Sequence, residues 1–406
     1  MTKQFDLPKV WYAQLDDYSR KDYQRNGRCV RLVAVDAATY DSGRFDDGVD
    51  VWTLEVSYWE FAREILGRAR RLTVDAQRKL EAAQPPSSDN WYVLEVQWSS
   101  SVAHGYAYRT FSEETPTFFK LCSCAKFEGA ALTQVRSRRV RKGRLVDEIS
   151  ETETAGWKLF SYHVGQGMCS LLTDGNQGIF LDCGAGMPVV RPNYLKDAKV
   201  REALQSRLQG LKSIDVVLSH TDGDHWRLLA WDNTIRDLVA RVYVPAKSKS
   251  LVLKDKAISS KVIGTGSFDY KLSDGGRLSL LRSDPSPSND NSECLVAVFE
   301  SAQGKRALLP GDYVYKHYSA DSNPQIASLT SNKSSFDAVV VPHHGDKESA
   351  DDVVNARLNA VAFFSAGTHP TYGHPTAESR KNHKAKSFIE ICMHKQPRIV
   401  EITLLK

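Results

Sequence analysis

Short runs of branched apolar residues recur along the chain after residue 157, and most of them end in Gly, Asp or His. Most runs are too short for helices and are rich in Val, Ile and Phe, which is typical of strands buried on both faces. One segment between them, KVREALQSRLQGL at 199–211, has apolar positions at helical spacing. The predicted strands are KLFSYHVGQG, GIFLDCGAG, SIDVVLSH, ARVYVPA, CLVAVFES, RALLPGD, FDAVVVPHHG and AVAFFSAG. This pattern predicts an α/β fold, in which polar residues at the ends of strands assemble sites.

The first part of the chain has a different pattern. Residues 57–84 have apolar positions at helical spacing, with Arg and Lys in the later turns, and PPSSDN ends this predicted helix. Residues 91–111 predict two strands rich in aromatic residues and Val. A basic run followed by an acidic one, RSRRVRKGRLVDEISETETAG, is typical of a solvated linker. We therefore expect an α+β domain at 1–150 and a second domain at 151–406.

Composition and charge narrow the class of protein. The chain has 406 residues, of which 41% are hydrophobic and 25% are charged, as in a globular protein long enough for two or three domains. The net charge of +5 is spread over both parts of the chain and is too weak to identify a nucleic-acid partner. No apolar run approaches the roughly 18 residues of a membrane span, and the N-terminus lacks the apolar core of a signal peptide. We therefore expect a cytoplasmic protein with no membrane partner.

Seven cysteines are scattered along the chain, which suits a reducing compartment. Cys122 and Cys124 form a C-x-C pair. No second Cys/His pair follows at zinc-finger spacing, so the sequence disfavours a structural zinc there.

The stretch LSHTDGDHWRLL at 218–229 places two histidines and two aspartates within six positions, directly after a predicted strand. One interpretation is structural, with Asp224 as a helix N-cap, the glycine as a turn and both histidines incidental. Two further strand ends favour a metal site, because Asp312 follows one strand and His343 and His344 follow another. Imidazoles and carboxylates from several elements are the ligands that two divalent ions roughly 3.5–4 Å apart require.

The same residues carry a resemblance to a known family. HTDGDH is similar to the H-x-H-x-D-H signature of the metallo-β-lactamase superfamily, with Asp222 where the second His usually stands. That Asp resembles one branch, the hydrolase domain of the competence protein ComEC and its soluble relatives. Other motifs similar to that branch occur in its order: HVGQGMCSLL (163–172), FLDCGAG (180–186), NDNSECLVAVFE (289–300), ALLPGD (307–312), VVVPHHGDKES (339–349) and SAGTHPTYGHPTAE (365–378). Six motifs in fixed order make the resemblance specific, and it covers 157–380.

The resemblance implies an αββα sandwich, with two sheets face to face, helices outside and a metal site at one edge. Carried over residue by residue, the implied metal ligands are His220, Asp222, Asp224, His225, Asp312 and one of His343 and His344. His220 and Asp222 would bind the first metal, and Asp224 and His225 would bind the second. Asp312 would bridge the two metals. His343 is preferred over its neighbour because it lies nearer the strand end. Asp182 is similar to a residue that orients a ligand imidazole from outside the coordination shell.

At some ligand positions the sequence departs from the pattern of the wider superfamily, and these departures affect which metal is expected. Asn289 or Asn291 stands where many members have a His before the GD strand. With Asp222 as well, the first metal loses imidazoles and gains oxygen ligands, which favours Mn²⁺ or Mg²⁺ over Zn²⁺ there. We expect two divalent ions, Mn²⁺ or Zn²⁺, with Mg²⁺ as a further candidate. Met168 stands where the branch has an acidic residue, and His163 stands where it often has Asp. Any role of those two positions therefore stays open.

Two divalent ions suit phosphodiester hydrolysis, because they generate a bridging hydroxide near neutral pH and stabilise charge on the attacking and leaving oxygens. The expected function is a metal-dependent phosphodiesterase or nuclease, with Asp224, Asp312 and His374 as catalytic residues. His374, in YGHP, would contact a phosphate or protonate the leaving alkoxide, unless it is a structural histidine. Tyr372 would pack near it. Lys347 would bind phosphate or face solvent.

Two other functions stay open: hydrolysis of a non-nucleic ester, amide or lactone, including phosphocholine esters, and a non-catalytic interaction module. The N-terminal aromatic residues either build a core or stack bases. They are Trp11, Tyr12, Trp52, Tyr58, Trp59, Trp91, Tyr92 and Trp98. The basic run Arg136–Arg144 would either contact a phosphate backbone or only be solvated. Contact with a protein partner through the N-terminal domain also stays open.

Overall fold

The computed structural model of the chain describes residues 10–20, 27–66, 79, 90–98, 103–127, 156–285, 293–367, 372–392 and 397–405. The chain forms two compact units. The first comprises Met1–Val135 and Lys249–Ser260, and the second comprises Arg136–Ser248 and Lys261–Lys406. The basic run Arg136–Arg144 lies outside the described residues.

A closed barrel of six strands, all paired antiparallel, forms the first unit. Its strands are β1 (Val10–Arg20), β2 (Arg28–Asp36), β3 (Trp52–Ser57), β4 (Trp91–Trp98), β5 (Gly105–Arg109) and β6 (Thr117–Phe127), in the order β1-β2-β3-β5-β6-β4. Helix α1 (Ala37–Ser42) follows β2, and helix α2 (Tyr58–Leu66) follows β3. The two strands predicted at 91–111 are therefore confirmed as β4 and β5. Of the predicted helix at 57–84, the described part is α2 together with Lys79.

Alternate residues of the barrel strands fill its interior, as the two-residue period of a strand requires. Trp11, Leu32 and Leu54 belong to this core. Six of the eight N-terminal aromatic residues are buried or half-buried, whereas Trp59 and Trp98 are 52% and 40% exposed. The core interpretation therefore holds for most of these residues.

Polar side chains hold the Lys249–Ser260 segment within the first unit. Gln14 donates from Nε2 to the carbonyl of Lys249 at 3.1 Å and accepts at Oε1 from the backbone N–H of Leu251 at 2.9 Å. Asp255 accepts at Oδ2 from the backbone N–H of Val51 at 3.0 Å. Val49 also forms a parallel bridge to Asp255. A segment far along the sequence thus packs with the barrel because its backbone groups find partners there.

Two seven-stranded sheets form the second unit. The first sheet has the order β12-β11-β10-β9-β8-β7-β20, with β7 (Lys158–His163), β8 (Cys169–Thr173), β9 (Gln177–Cys183), β10 (Ser213–Val217), β11 (Val239–Pro245), β12 (Val262–Thr265) and β20 (Val400–Leu405). The second runs in sequence order and comprises β13 (Phe268–Lys271), β14 (Arg277–Arg282), β15 (Leu295–Glu300), β16 (Arg306–Leu309), β17 (Ser335–Val340), β18 (Asn355–Phe364) and β19 (Ile389–Cys392). Strands β9 to β12 pair in parallel, as do β16 to β19. All eight apolar runs that predicted strands after residue 157 are confirmed as strands.

Helices connect some of these strands. They are α3 (Arg191–Lys196), α4 (Ala198–Leu208), α5 (Arg227–Trp231), α6 (Asn233–Leu238), α7 (Pro324–Ala327) and α8 (Ala377–Ala385). The helix predicted at 199–211 is confirmed as α4. Among the described residues, no helix combines the length and apolar character needed to cross a membrane.

A single apolar core is shared by both sheets of the second unit. Leu172 and Leu181 from the first sheet pack in one cluster with Leu280, Ala297 and Leu309 from the second. A separate apolar cluster contains residues of β15 to β18 that alternate with those in the shared core, such as Val296 and Val339. The second sheet is therefore buried on both faces, which explains why its strands are nearly continuous apolar runs.

The cysteines form no disulfide, and all seven lie in described parts of the chain. Cys122 and Cys124 are two positions apart on β6, with Cys124 in the barrel core and Cys122 half-buried. Residues two apart share a face of a regular strand, but the register of β6 against β4 shifts at Cys122, between Leu121 and Ser123. The described residues place no third metal ligand beside them.

We predict that His383 makes the fold sensitive to acid. His383 is buried among Phe364 and Phe388, and its Nδ1 donates to the carbonyl of Ser379 at 2.8 Å. Burial lowers the pKa of His383 to about 4. Between this value and the ordinary 6.5, the unfolded chain binds a proton that the folded chain does not, so stability falls as the pH falls through this window. The loss approaches about 3 kcal/mol.

Thermal melting of the wild type and of His383→Leu, from about pH 7 to about pH 4, measures this contribution. The leucine variant should be less stable at neutral pH and should lose less of its stability on acidification. Parallel melting curves over the whole range would contradict the prediction.

Candidate metal centre

The carboxyl ends of parallel strands from both sheets meet at the candidate site. Asp182 is the next-to-last residue of β9, and His220 follows β10 by three residues. Asp312 follows β16, and His343 and His344 follow β17. Parallel strands place their carboxyl ends at the same edge of a sheet, so residues far apart in sequence come together there.

One group of possible metal ligands comprises His220, His225 and Asp312, all buried. Asp312 Oδ1 lies 3.2 Å from His225 Nε2, and Asp312 Oδ2 lies 3.6 Å from His220 Nε2. The two imidazole rings are 4.0 Å apart at their centroids. Asp312 therefore presents one carboxylate oxygen to each histidine, which is the arrangement a bridging carboxylate needs.

A second group comprises Asp224, His225 and His344. Asp224 Oδ2 lies 3.0 Å from His344 Nε2, and Asp224 Oδ1 lies 3.9 Å from His225 Nε2. His344 Nε2 is also 3.9 Å from Asp312 Oδ1. The two groups share His225, and Asp312 borders both.

The geometry favours His344 over His343 as the ligand that completes the second group. His343 is the residue preferred from the sequence, because it lies nearer the strand end. Both residues have positive φ, 48° for His343 and 56° for His344, so the chain turns sharply after β17. This turn buries His344 beside Asp224. His343 is 32% exposed, its Nδ1 is bonded to Asp346 Oδ2 at 3.1 Å, and its Nε2 is 3.8 Å from Asp312 Oδ2.

Asp222 lies at the edge of the site. Its Oδ2 is 3.4 Å from His220 Nε2, and its side chain is 39% exposed. It belongs to neither buried group of ligands among the described residues. Asp222 is thus placed to add an oxygen ligand on the His220 side from the solvent face. The predicted positions Asn289 and Asn291 lie outside the described residues.

Each histidine of the site is anchored through its Nδ1 atom. His225 Nδ1 donates to Asp182 Oδ2 at 2.9 Å, which is the supporting contact that the resemblance implies for Asp182. His344 Nδ1 donates to the carbonyl of Ser365 at 2.7 Å. His220 Nδ1 lies 3.0 Å from Ser219 Oγ. These contacts leave the Nε2 atoms facing the centre of the site.

The unpaired polar atoms of the site fit a cation. Four buried atoms lack a hydrogen-bond partner among the described residues: His220 Nε2, His225 Nε2, His344 Nε2 and Asp312 Oδ1. Buried polar atoms normally find a partner, and leaving several together is costly. A divalent ion would satisfy imidazole nitrogens and carboxylate oxygens at once. The donor set of the site therefore fits divalent metal ions.

The pKa shifts of the site residues also fit a bound cation. Burial and the neighbouring His220 lower the pKa of His225, but Asp182 and Asp312 outweigh them and raise it to about 10. Burial raises the pKa of Asp312, but the surrounding histidines outweigh it and hold this pKa well below the usual range. The buried carboxylates are thus stabilised by positive charge on imidazoles, and a metal cation would supply the same compensation.

Close backbone approaches fix the loops that carry the ligands. A Cβ atom at Gly184 would collide with the carbonyl of Asp224, so only glycine allows the β9 loop to pass this close. The backbone N–H of Met168 donates to the same carbonyl at 3.0 Å, while its side chain lies in the shared core. Met168 therefore supports the Asp224 loop through its backbone. His163, the other altered position, is buried with Nε2 2.9 Å from the carbonyl of Ala366.

His374 borders the site without joining either group of ligands among the described residues. Its ring centroid is 5.8 Å from that of His343 and 5.5 Å from that of Tyr372, which stacks on it and is 40% exposed. Burial, followed by the charges of His344 and His343, lowers the pKa of His374 to about 3. A neutral His374 suits a hydrogen bond to substrate better than proton donation. Lys347 is exposed.

Three supporting residues of the site are absent from the predicted set. They are Ser219, Asp346 and Ser365. All three lie within stretches already quoted from the sequence, 218–229, 339–349 and 365–378. The roles of Ser219 and Ser365 depend on the fold, because Ser365 acts through its backbone carbonyl and Ser219 through its side-chain orientation. Asp346 has a weak sequence signal in the spacing H-x-x-D after His343.

No protein-family model matches the chain. By sequence, the chain is similar to Recombination protein 2 of Haemophilus influenzae, with 26% identity over 241 residues, 58% of this chain and 27% of that protein. The chain thus spans about a quarter of the length of this curated relative.

Solved structures with partial likeness include the metallo-β-lactamase fold protein YhfI from Bacillus subtilis, with 11% identity and a TM-score of 0.36 over 60% of this chain and 99% of that one. The chemotaxis sensor ODP, solved as its peroxy diiron species, has 19% identity and a TM-score of 0.27 over 41% of this chain and 64% of that one. A protein of unknown function from Enterococcus faecalis V583 has 12% identity and a TM-score of 0.29 over 45% and 49% of the two chains. The resemblance drawn from the motifs thus has a counterpart in the sequence similarity to a recombination protein.

We predict that Asp312→Asn removes metal binding while the fold persists. The amide keeps the shape of the side chain but removes the negative charge that lies between the Nε2 atoms of His220 and His225. Metal affinity should fall by more than the roughly 10–100-fold typical of a residue that only supports a ligand. Metal content after dialysis, measured by elemental analysis, reports the loss, and circular dichroism reports the fold.

Asp337→Asn is a matched control for this variant. Asp337 lies on β17 and accepts from the backbone N–H of Arg306 at 2.7 Å and from Arg357 at 2.9 Å, away from the site. This control should keep its metal. Equal metal content in the two folded variants would show that Asp312 is not a ligand.

Proposed function

We propose that the chain is a metal-dependent hydrolase that cleaves phosphodiester bonds, with nucleic acid as its substrate class. The observation that carries the proposal is the buried Asp312 carboxylate, whose two oxygens face different histidines. Two divalent ions would be held by the His220 and Asp224 sides of the site, with Asp312 between them. The similarity to a recombination protein supports a substrate of this class.

We infer that this centre lies at one edge of an αββα sandwich. Two sheets that share one core, and a second sheet buried on both faces, support this architecture. All the ligand-bearing loops follow carboxyl ends of parallel strands in this unit. Such a position leaves one side of the site open to substrate and the other side supported by the two sheets.

The ligand set suits phosphate chemistry. When bound, two divalent ions would acidify a water molecule and offset the negative charge of a phosphodiester. Asp312 would hold the two ions at a fixed spacing, and Asp224 and His344 would set the position of one of them. Asp182, Ser219 and Ser365 keep the imidazoles oriented, so the site needs little rearrangement.

Residues at the mouth of the site would bind the substrate. The neutral imidazole of His374 can donate an N–H to a phosphate oxygen, and its ring stacks on the exposed Tyr372. Lys347 is exposed beside the paired histidines and carries positive charge. These groups would orient a phosphodiester against the metal centre.

The proposed metal preference rests on oxygen ligands. Asp222 and Asp312 both face His220, so the ion on that side would have two carboxylates beside the imidazoles of His220 and His225. Hard ligands of this kind favour Mn²⁺ or Mg²⁺ over Zn²⁺. We propose Mn²⁺ as the ion that best supports activity.

A substrate panel tests the proposed function. Purified protein with Mn²⁺, Mg²⁺ or Zn²⁺ is incubated with DNA, RNA, bis-(p-nitrophenyl) phosphate, a lactone and a β-lactam. We expect cleavage of a nucleic acid and of the small phosphodiester, fastest with Mn²⁺, and no turnover by Asp312→Asn. Activity on the lactone or the β-lactam alone would contradict the phosphodiester assignment, and inactivity on every substrate would favour an interaction module.

His374→Ala separates substrate contact from metal binding. Because His374 lies outside both groups of ligands, the variant should keep its metal content. Turnover of the small phosphodiester should fall by roughly 10- to 100-fold, the scale of one lost hydrogen bond to a charged group. Wild-type turnover by this variant would assign His374 a structural role.

A further inference from the structure

We propose that Ser219 is a positioning residue that fixes the tautomer of His220 by accepting a hydrogen bond from its Nδ1–H. This inference rests on the proposed metal centre. Ser219 lies between β10 and His220 and is buried. It therefore connects the end of a core strand directly to a ligand.

The backbone of Ser219 is held from two sides. Its N–H donates to Asp182 Oδ1 at 2.7 Å, and its carbonyl accepts from the backbone N–H of Leu295 at 2.8 Å. Asp182 is the next-to-last residue of a strand of the first sheet, and Leu295 begins a strand of the second. Gly311 packs against the Ser219 side chain so closely that a Cβ atom there would collide with it. The position of the hydroxyl is thus set by both sheets.

The hydroxyl lies between two ligand rings. Ser219 Oγ is 3.0 Å from His220 Nδ1 and 3.2 Å from His225 Nδ1. His225 has a stronger partner in Asp182 Oδ2 at 2.9 Å, because an ionised carboxylate accepts more strongly than a hydroxyl. At His220 Nδ1 the hydroxyl lies at hydrogen-bond distance, whereas Asp222 lies beside Nε2. The Cys294 thiol that also contacts this ring is a weak hydrogen-bonding group.

The position of the proton on His220 depends on whether the Ser219 hydroxyl donates or accepts. A neutral imidazole carries its proton on one nitrogen, and a hydroxyl either donates or accepts. If Ser219 donated to Nδ1, the proton of His220 would sit on Nε2 and block coordination by that atom. If Ser219 accepts from Nδ1–H, the Nε2 lone pair faces Asp312, 3.6 Å away. Only the second arrangement lets His220 bind a metal through Nε2.

Nitrogen chemical shifts test the inference in the wild-type protein. The probe is Zn²⁺ added to protein with ¹⁵N-labelled histidine, because this ion is diamagnetic. We expect His220 to show a protonated Nδ1 and a metal-bound Nε2. Coordination through Nδ1, or a His220 Nδ1 without a proton, would overturn the inference whatever the variants do.

Ser219→Ala and Ser219→Thr test the role of the hydroxyl. The alanine variant should lose roughly 10–100-fold in affinity for the ion on the His220 side, the scale of a lost supporting contact. The shifts of His225 should stay unchanged because Asp182 still holds that ring. The threonine variant keeps a hydroxyl and should recover most of the affinity. Affinity is measured by competition with a chromophoric chelator.

Ser170→Ala is the matched control. Ser170 lines the same small cavity as Ser219 and Asp182, and its hydroxyl bonds to Ser161 Oγ at 2.7 Å. This control enlarges the cavity without removing a contact to a ligand and should keep wild-type affinity. If wild-type protein binds no metal, the proposed centre fails. If the wild type binds metal but Ser219→Ala matches the control, only the role of Ser219 fails.

Discussion

The second unit depends on one electrostatic constraint, the burial of the Asp312 carboxylate between the imidazoles of His220 and His225. An isolated carboxylate in an apolar interior is costly, and here the Nε2 atoms of His220 and His225 lie 3.6 and 3.2 Å from its two oxygens. The histidines in turn cannot move freely, because each Nδ1 is anchored to a neighbouring oxygen. The shape of the site therefore follows from charge balance at its centre and from hydrogen bonds at its periphery.

The two sheets supply the rigidity that this arrangement requires. The candidate ligands come from loops that leave β10, β16 and β17, and these strands are packed in apolar clusters. Glycines allow the loops to approach one another closely, since Gly184 touches the Asp224 loop and Gly311 touches Ser219. Asp182 itself has a φ of 56°, a conformation that costs energy for a residue with a side chain. Strain of this kind is tolerated where the surrounding contacts fix a functional side chain.

Much of this unit could be predicted from the sequence because its signals are local. Branched apolar runs indicated the strands, and the chemistry of HTDGDH and of the residues after two later strands indicated a metal site. The burial of His344 beside Asp224, with His343 left partly exposed, could not be predicted, because it depends on two consecutive residues with positive φ. The role proposed for Ser219 depends on how its side chain is oriented between two rings, and no sequence motif encodes that orientation.

Less of the first unit could be predicted from the sequence. Its aromatic and β-branched residues indicated strands, but closure of the barrel requires β1 to pair with β4 across a long sequence separation. The packing of Lys249–Ser260 with the barrel rests on Gln14 and Asp255, which are unremarkable in the sequence. Long-range pairings of this kind have no local signal.

Anomalous scattering from crystals grown with Mn²⁺ tests the central claim most directly. Difference maps at the manganese edge should show two peaks in each chain, one beside His220 and Asp312 and the other beside Asp224 and His344, with His225 and Asp312 bordering both. A single peak, no peak, or peaks held by other residues would contradict the account.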